Sequence, residues 1–203
     1  MKTATTRGTT AKEKLLKAAF SLMVSRGYPA TTVDEICSEA GVSKGSFYHS
    51  FKTKEELGLA VLDDYFASAV ATMSRGAFAT EANPVRRALA FLEHMETASD
   101  SIWSHGCLLG TFAVDLAETH ERIRTRVSEQ FTSLERKVSR LFEPAIPRGS
   151  SRTGVTAEEL AAHFMALVEG SLVLAKAHGD FSYVRRALRS FRGYLESLTE
   201  RFF

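Results

Sequence analysis

The chain has 203 residues, 44% of them hydrophobic and 25% charged, with a formal net charge of +2, which is ordinary for a globular protein. No apolar run reaches the roughly 18 residues of a membrane span, the N-terminal MKTATTRGTT lacks the apolar core of a secretory signal, and Cys37 and Cys107 stand too far apart to found a disulfide framework. These exclusions point to a reducing cytoplasm, with no membrane partner, as the simplest home. The charge is uneven: residues 1–54 carry nine Lys/Arg against four Asp/Glu (+5), and residues 55–203 carry 17 against 20 (−3), which sum to +2. A basic N-terminal part on a mildly acidic body fits a phosphate-binding head on a separate sensor or assembly body.

The first ten residues, rich in Thr and Gly, are expected to form a mobile basic arm. Thr10-Ala11-Lys12-Glu13 then reads as a capping box, in which a Thr side chain accepts the N–H three residues on and the Glu reaches back. The helix it opens carries Leu15, Leu16, Ala19, Phe20 and Met23 on one side and ends near Gly27, with Pro29 blocking extension. A second box at Thr32-Val33-Asp34-Glu35 starts a short helix with Val33, Ile36, Cys37 and Ala40 at helical spacing. Gly41 stands where a left-handed C-cap needs no Cβ, and Ser43 restarts a helix at its N-cap. Phe47 and Phe51, four apart, share one face of that helix. Lys44, Gly45, Ser46, Tyr48 and His49 fall largely on the others. A short helix showing cationic, hydroxyl, imidazole and phenol groups is a poor core element and a good probe for a DNA major groove.

Thr53-Lys54-Glu55-Glu56 is a third capping box, and its helix should run to about Arg75 with Leu57, Val61, Leu62, Tyr65, Phe66 and Val70 inward. Pro84 opens a helix through about Ser99, with Leu89, Leu92 and Met95 inward. Trp103 to Glu118 is apolar almost all round, as for a helix buried in the centre of a bundle. A charge-laced helix is expected from about Glu121 to Phe142, followed by a loop around Pro144, Pro147, Gly149 and residues 148–154. Thr156 opens a helix ending at Gly179, with Leu160, Phe164, Leu167, Val168, Leu172 and Ala175 as its apolar set. The last helix spaces Val184, Leu188, Phe191, Leu195 and Leu198 at alternating intervals of four and three, a heptad-like seam. With no strand signal, the fold class is all-α: nine helices, three in a helix-turn-helix domain over residues 1–54, a linking fourth and five more in a larger domain over residues 55–203.

The stretch AGVSKGSFYHSFKTKEEL resembles the signature of the TetR family of bacterial transcriptional repressors. The spacing of the Thr32 box, Gly41, Ser43-Lys44-Gly45, Phe47-Tyr48, Phe51 and Lys54-Glu55 fits over residues 10 to 58. Cys37 departs from the Ala usual at that slot and reads as a small structural hydrophobe. The resemblance implies a nine-helix repressor that is not an enzyme, binding a palindromic double-stranded DNA operator as a homodimer and released by a small organic effector. A helical enzyme or carrier with a vestigial head is the reading from another class. It finds no nucleophile motif, phosphate loop or metal spacing to support it.

By position in the motif, the backbone N–H groups of Thr32 and Ser43 would hold phosphate oxygens, and Lys44, Tyr48 and Lys54 would reach phosphates and set register. Gly45 and Ser46 would let the helix approach base edges, and His49 would add a base or backbone contact. In the body, the family implies an apolar cavity, with Phe66, Trp103, Phe112, Leu116, Phe164 and Leu167 as candidate lining and His105, Asp115 and His163 as polar handles. No cofactor and no metal site is expected, since His105 and Cys107, two apart on a helix, do not face one way. The last two helices are expected to dimerise through the Val184–Leu198 seam. Segments around Cys107 and Lys176 are similar to those of a subgroup that includes the repressor of N-ethylmaleimide reductase, where a matching Cys and Lys sense electrophiles and oxidants. Two readings stand for the pair. In one, the ammonium favours a reactive thiolate; in the other, Cys107 fills a small slot while Lys176 snorkels to water.

Overall fold

The structure is a computed structural model describing residues 9–146 and 154–199. The N-terminal arm and the greater part of the expected 148–154 loop lie outside the described residues. These contain nine α-helices: α1 (Ala11–Arg26), α2 (Val33–Ala40), α3 (Lys44–Ser50), α4 (Lys54–Ser74), α5 (Pro84–Ile102), α6 (Leu108–Leu116), α7 (Glu121–Phe142), α8 (Ala157–His178) and α9 (Ser182–Thr199). The all-α expectation holds over this span. Capping boxes with both hydrogen bonds start α1, α2 and α8 at Thr10, Thr32 and Thr156. At α4 the box is offset: Thr53 Oγ1 accepts the Glu56 N–H at 3.1 Å, but the Glu56 carboxylate accepts from Lys52 N at 2.8 Å instead of from Thr53.

The chain divides into two compact units. The first takes in residues up to Tyr65 together with Leu108–Val127, and the second Phe66–Cys107 together with the chain from Ser128 on. In this division α6 groups with the N-terminal helices, a feature the expected division at residue 54 did not include. In the first unit Leu15, Ile36, Phe47, Leu57, Leu62 and Phe112 are fully buried. Cys37 is buried among them, as its reading as a small hydrophobe requires.

In the second unit α9 packs against α5 and α8. Phe91, Phe142, Phe164 and Phe191 form its aromatic centre, with ring centroids 5.5–6.4 Å apart along contacting pairs. Burying each such ring stabilises by about 2 kcal/mol. Val184, Leu188, Phe191 and Leu195 are at most 1% exposed within the single chain. The seam expected to join two copies is thus intramolecular core. A heptad spacing shows that a stripe is buried, and it does not show which chain covers it.

The helix expected over 103–118 is also shorter. Trp103 caps α5, the Gly106 N–H closes a turn on the Trp103 carbonyl at 2.8 Å, and Gly106 has φ +91°, a conformation open to glycine, so α6 begins only at Leu108. Nor is α6 buried all round, since Val114 is 85% exposed. α8 is the one helix among the described residues long and apolar enough to cross a membrane, although scattered polar residues keep its sequence from forming an unbroken apolar run. Its inner face, from Leu160 to Ala175, is buried in the second unit, while Val173 and Leu174 on its other side are exposed.

Candidate nucleic-acid interface

Gly41 ends α2 in the left-handed conformation at φ +62°, and the chain re-enters a helix two residues later at Ser43. The Ser43 Oγ accepts the Ser46 N–H at 3.2 Å and lies 3.1 Å from the Ser46 hydroxyl. Phe47 and Phe51 are the buried side of the α3 segment, packed ring to ring with centroids 6.1 Å apart. That burial fixes what faces outward: Lys44, Gly45, Tyr48 and His49 are exposed and Ser46 is half-buried. Tyr48 rests edge-on against Phe47 with its phenol free to reach outward. A Cβ on Gly45 would meet nothing closer than Ser43 Oγ at 3.6 Å, so nothing among the described residues demands a glycine there.

The two remaining candidates on the head are already engaged. The Thr32 N–H donates to Glu35 Oε2 at 2.8 Å, and the Thr32 hydroxyl does the same. These bonds hold the Glu35 carboxyl below the usual carboxylate range. Thr32 therefore caps α2 and has no amide to offer a phosphate in this conformation. Lys54 differs most from expectation. Its Nζ donates to the Tyr28 and Thr31 carbonyls, both at 2.8 Å, and lies 4.0 Å above the Tyr28 ring centre. Partial burial pulls its pKa down. Lys54 pins the α1–α2 connection to the start of α4 instead of pointing at a phosphate. Nothing in the sequence hints at this, because two backbone carbonyls carry no side-chain signature. Lys44, by contrast, is exposed and forms an ion pair with Asp34, Nζ to Oδ1 2.7 Å.

Tyr28 is the residue that motif reading missed. It is buried, its hydroxyl is pushed up to about 12 by burial and then by the Glu55 charge, and its ring meets Phe112 edge-on at 5.5 Å. Its N–H donates to Asp115 Oδ2 at 3.2 Å. The same oxygen lies 2.7 Å from where a Cβ on Gly27 would stand. Phe112, Asp115 and Leu116 thus belong to the first unit. Phe112 and Asp115 meet the end of the α1 segment directly, while Leu116 is one of the unit's buried residues.

The other candidate pocket residues lie in the second unit. Phe164 is core, packed on Phe91, Phe142 and Phe191. His163 is exposed beside Phe191 and Tyr194, and Phe66 and Leu167 are half-buried. Trp103 is buried, and His105 lies in the turn before α6 with Nδ1 2.8 Å from the Ser104 hydroxyl. Cys107, half-buried, donates its thiol hydrogen to the Glu169 carboxyl, which burial pushes up and this bond pulls back down. Lys176 is exposed, seven residues beyond Glu169 and so roughly 10 Å further along α8. The structure therefore gives the thiol an acid as a hydrogen-bond partner. A carboxylate opposes thiolate formation where an ammonium favours it.

A tightly turned helix pair whose second member buries two phenylalanines and presents Lys, Gly, Ser, Tyr and His is a helix-turn-helix DNA reader, so the chain is a DNA-binding transcriptional regulator. Comparison with known families agrees. The model described as bacterial regulatory proteins, tetR family, matches residues 15–61, and that described as tetracyclin repressor-like, C-terminal domain, matches residues 84–191. The chain belongs to the tetR family. It is 27% identical over 168 residues to the transcriptional repressor DhaR of Mycobacterium sp. (strain GP1), covering 83% of each chain. To the repressor NemR of Escherichia coli it is 30% identical over 106 residues, 52% of each chain. Among solved structures, a TetR regulator from Chloroflexus aurantiacus superposes with a TM-score of 0.79 at 25% identity, over 92% of this chain and 94% of that one. The reduced form of E. coli NemR does so at 0.72 and 23%, over 91% and 96%.

Proposed function

We propose that the chain is a cytoplasmic, homodimeric repressor that holds a palindromic operator and lets go when a small organic effector binds its helical body. The observation that carries the DNA half is the outward set of α3: five polar or small residues with no role in the core. Lys44 and Tyr48 contact phosphates and set register. Gly45 and Ser46 bring the helix backbone against base edges, and His49 adds a base or backbone contact. One seven-residue helix reads few bases, so two heads on a two-fold site are needed for specificity. Lys54 and Thr32 support this surface from behind and do not belong to it.

The dimer rests on the outer faces of the last two helices, in place of the buried seam. Gly170, Val173 and Leu174 on α8 and Gly193 and Tyr194 on α9 are exposed, and a Cβ on either glycine would meet nothing. Small residues beside exposed apolar ones allow two helix pairs to approach closely about a two-fold axis. Binding of the purified chain to duplex DNA from its own promoter region tests the whole reading. Affinity should fall steeply with salt as phosphate-bound cations are displaced. Equal affinity for promoter and random-sequence duplexes would sink it.

A further inference from the structure

We infer that Asp34 sets the overall affinity of the DNA head: its carboxylate occupies the place on Lys44 that a DNA phosphate must take, and so weakens binding to every duplex. The inference rests on the phosphate contact proposed for Lys44. Asp34 stands at the second position of α2, where the helix dipole favours an acid. Lys44 stands at the first position of α3, where the same dipole disfavours a cation. The two meet at 2.7 Å, with side chains 65% and 62% exposed. The bond and charge of Asp34 hold the Lys44 ammonium above the usual lysine range.

An ion pair this exposed contributes little to folding. Its consequence appears when a second anion arrives. A phosphate oxygen at hydrogen-bond distance from Lys44 Nζ either stands close to the Asp34 carboxylate, which repels it, or draws the ammonium away, which breaks the pair. Each course costs binding free energy at every duplex, whatever its sequence. Random DNA, held essentially by phosphate contacts alone, and an operator lose affinity by the same factor. An operator adds base-edge contacts that Asp34 does not touch. The acid therefore lowers both affinities by the same factor and leaves their ratio unchanged.

Asp34→Asn removes the charge and keeps a polar side chain of the same size in the first turn of α2. It should tighten binding to promoter and random-sequence duplexes alike by about two- to fivefold per head, the factor equivalent to one exposed ion pair, and leave the ratio of the two affinities unchanged. Asp34→Ser, a second uncharged residue suited to a helix start, guards against misfolding of the first variant. In a Lys44→Met background the gain should vanish. If Asp34→Asn leaves binding unchanged or weakens it while Lys44→Met weakens it, the inference is overturned and the Lys44 contact stands. A gain of the same size in the Lys44→Met background also overturns it, since Asp34 would then repel DNA directly. If Lys44→Met itself changes neither affinity nor salt dependence, the phosphate contact assigned to Lys44 is wrong and the inference falls with it.

Discussion

Replacing Lys54 with Met tests whether this cation serves the fold or the DNA. Met keeps most of the aliphatic stem and removes the ammonium. Lys54 Nζ makes two hydrogen bonds of 2.8 Å and sits over the Tyr28 ring. The Tyr28 carbonyl also accepts the Thr31 N–H at 3.2 Å, so it keeps one donor when Lys54 is gone. The Thr31 carbonyl is left without its lysine donor, and Thr31 is 1% exposed, so water does not replace it. A buried acceptor stripped of its partner costs about 1–3 kcal/mol. Losing a charge-assisted bond at the Tyr28 carbonyl adds about 1 kcal/mol, and the ring contact roughly 0.5–1 kcal/mol. Part of this is returned because no ammonium is now desolvated, which leaves a net loss of about 3 kcal/mol.

For a chain of this length each kcal/mol moves the melting temperature by about 2–4 °C, so the midpoint should drop by about 6–12 °C. The matching assay is operator affinity against salt concentration at a temperature where the variant is folded. If Lys54 neutralised a phosphate, its removal would flatten that slope by about 0.9 per head. The expected result is a large fall in melting temperature with the salt slope unchanged. An unchanged melting temperature with a flatter slope would refute the structural role and restore Lys54 to the DNA surface.

Val184→Lys and Leu188→Lys should abolish folding instead of producing folded monomers, because both side chains are fully buried within one chain; circular dichroism with sedimentation separates the two outcomes. Val173→Lys with Leu174→Lys, placed on the exposed side of α8, should instead give folded monomers with weakened operator binding. Phe164→Ala should cost about 3–5 kcal/mol by opening a cavity among Phe91, Phe142 and Phe191, read by denaturant titration; a loss under about 1 kcal/mol would mean that the ring lines open space and is not core. Glu169→Gln tests the carboxyl beside Cys107. Its folded pKa is raised, chiefly by burial, so the native state binds the proton more tightly. Stability attributable to Glu169 is then present below its unfolded pKa and lost as pH rises through its folded pKa. The variant should be more stable than the parent at neutral pH, with the advantage shrinking as pH falls into the carboxylate range. A constant offset across that window would refute the assignment.

What the sequence carried, and what it withheld, divides along the range of the interactions involved. Caps are local, so Thr10, Thr32 and Thr156 were legible three residues at a time, and Gly41 with Ser43 fixed the turn between α2 and α3. The exposed face of α3 was legible for the same reason, since two phenylalanines four apart leave only one arrangement for the rest. Lys54 could not be read this way. Its partners are main-chain carbonyls 23 and 26 residues back, and any residue type supplies a carbonyl. The α9 seam failed differently: Val184, Leu188, Phe191 and Leu195 were correctly expected to be buried, but periodicity holds no information on whether α5 of the same chain or a second copy does the burying.

The Trp103–Glu118 stretch failed because hydrophobicity outweighed one glycine. Gly106 turns the chain and separates Cys107 from α6, so the thiol meets Glu169 in one unit while Asp115, eight residues on, meets Tyr28 in the other. This separation bears on the effector. A sensor built on Cys107 needs a thiolate, and the Glu169 carboxyl that holds the thiol works against one. The release by a reversibly bound organic molecule proposed above asks nothing of that thiol.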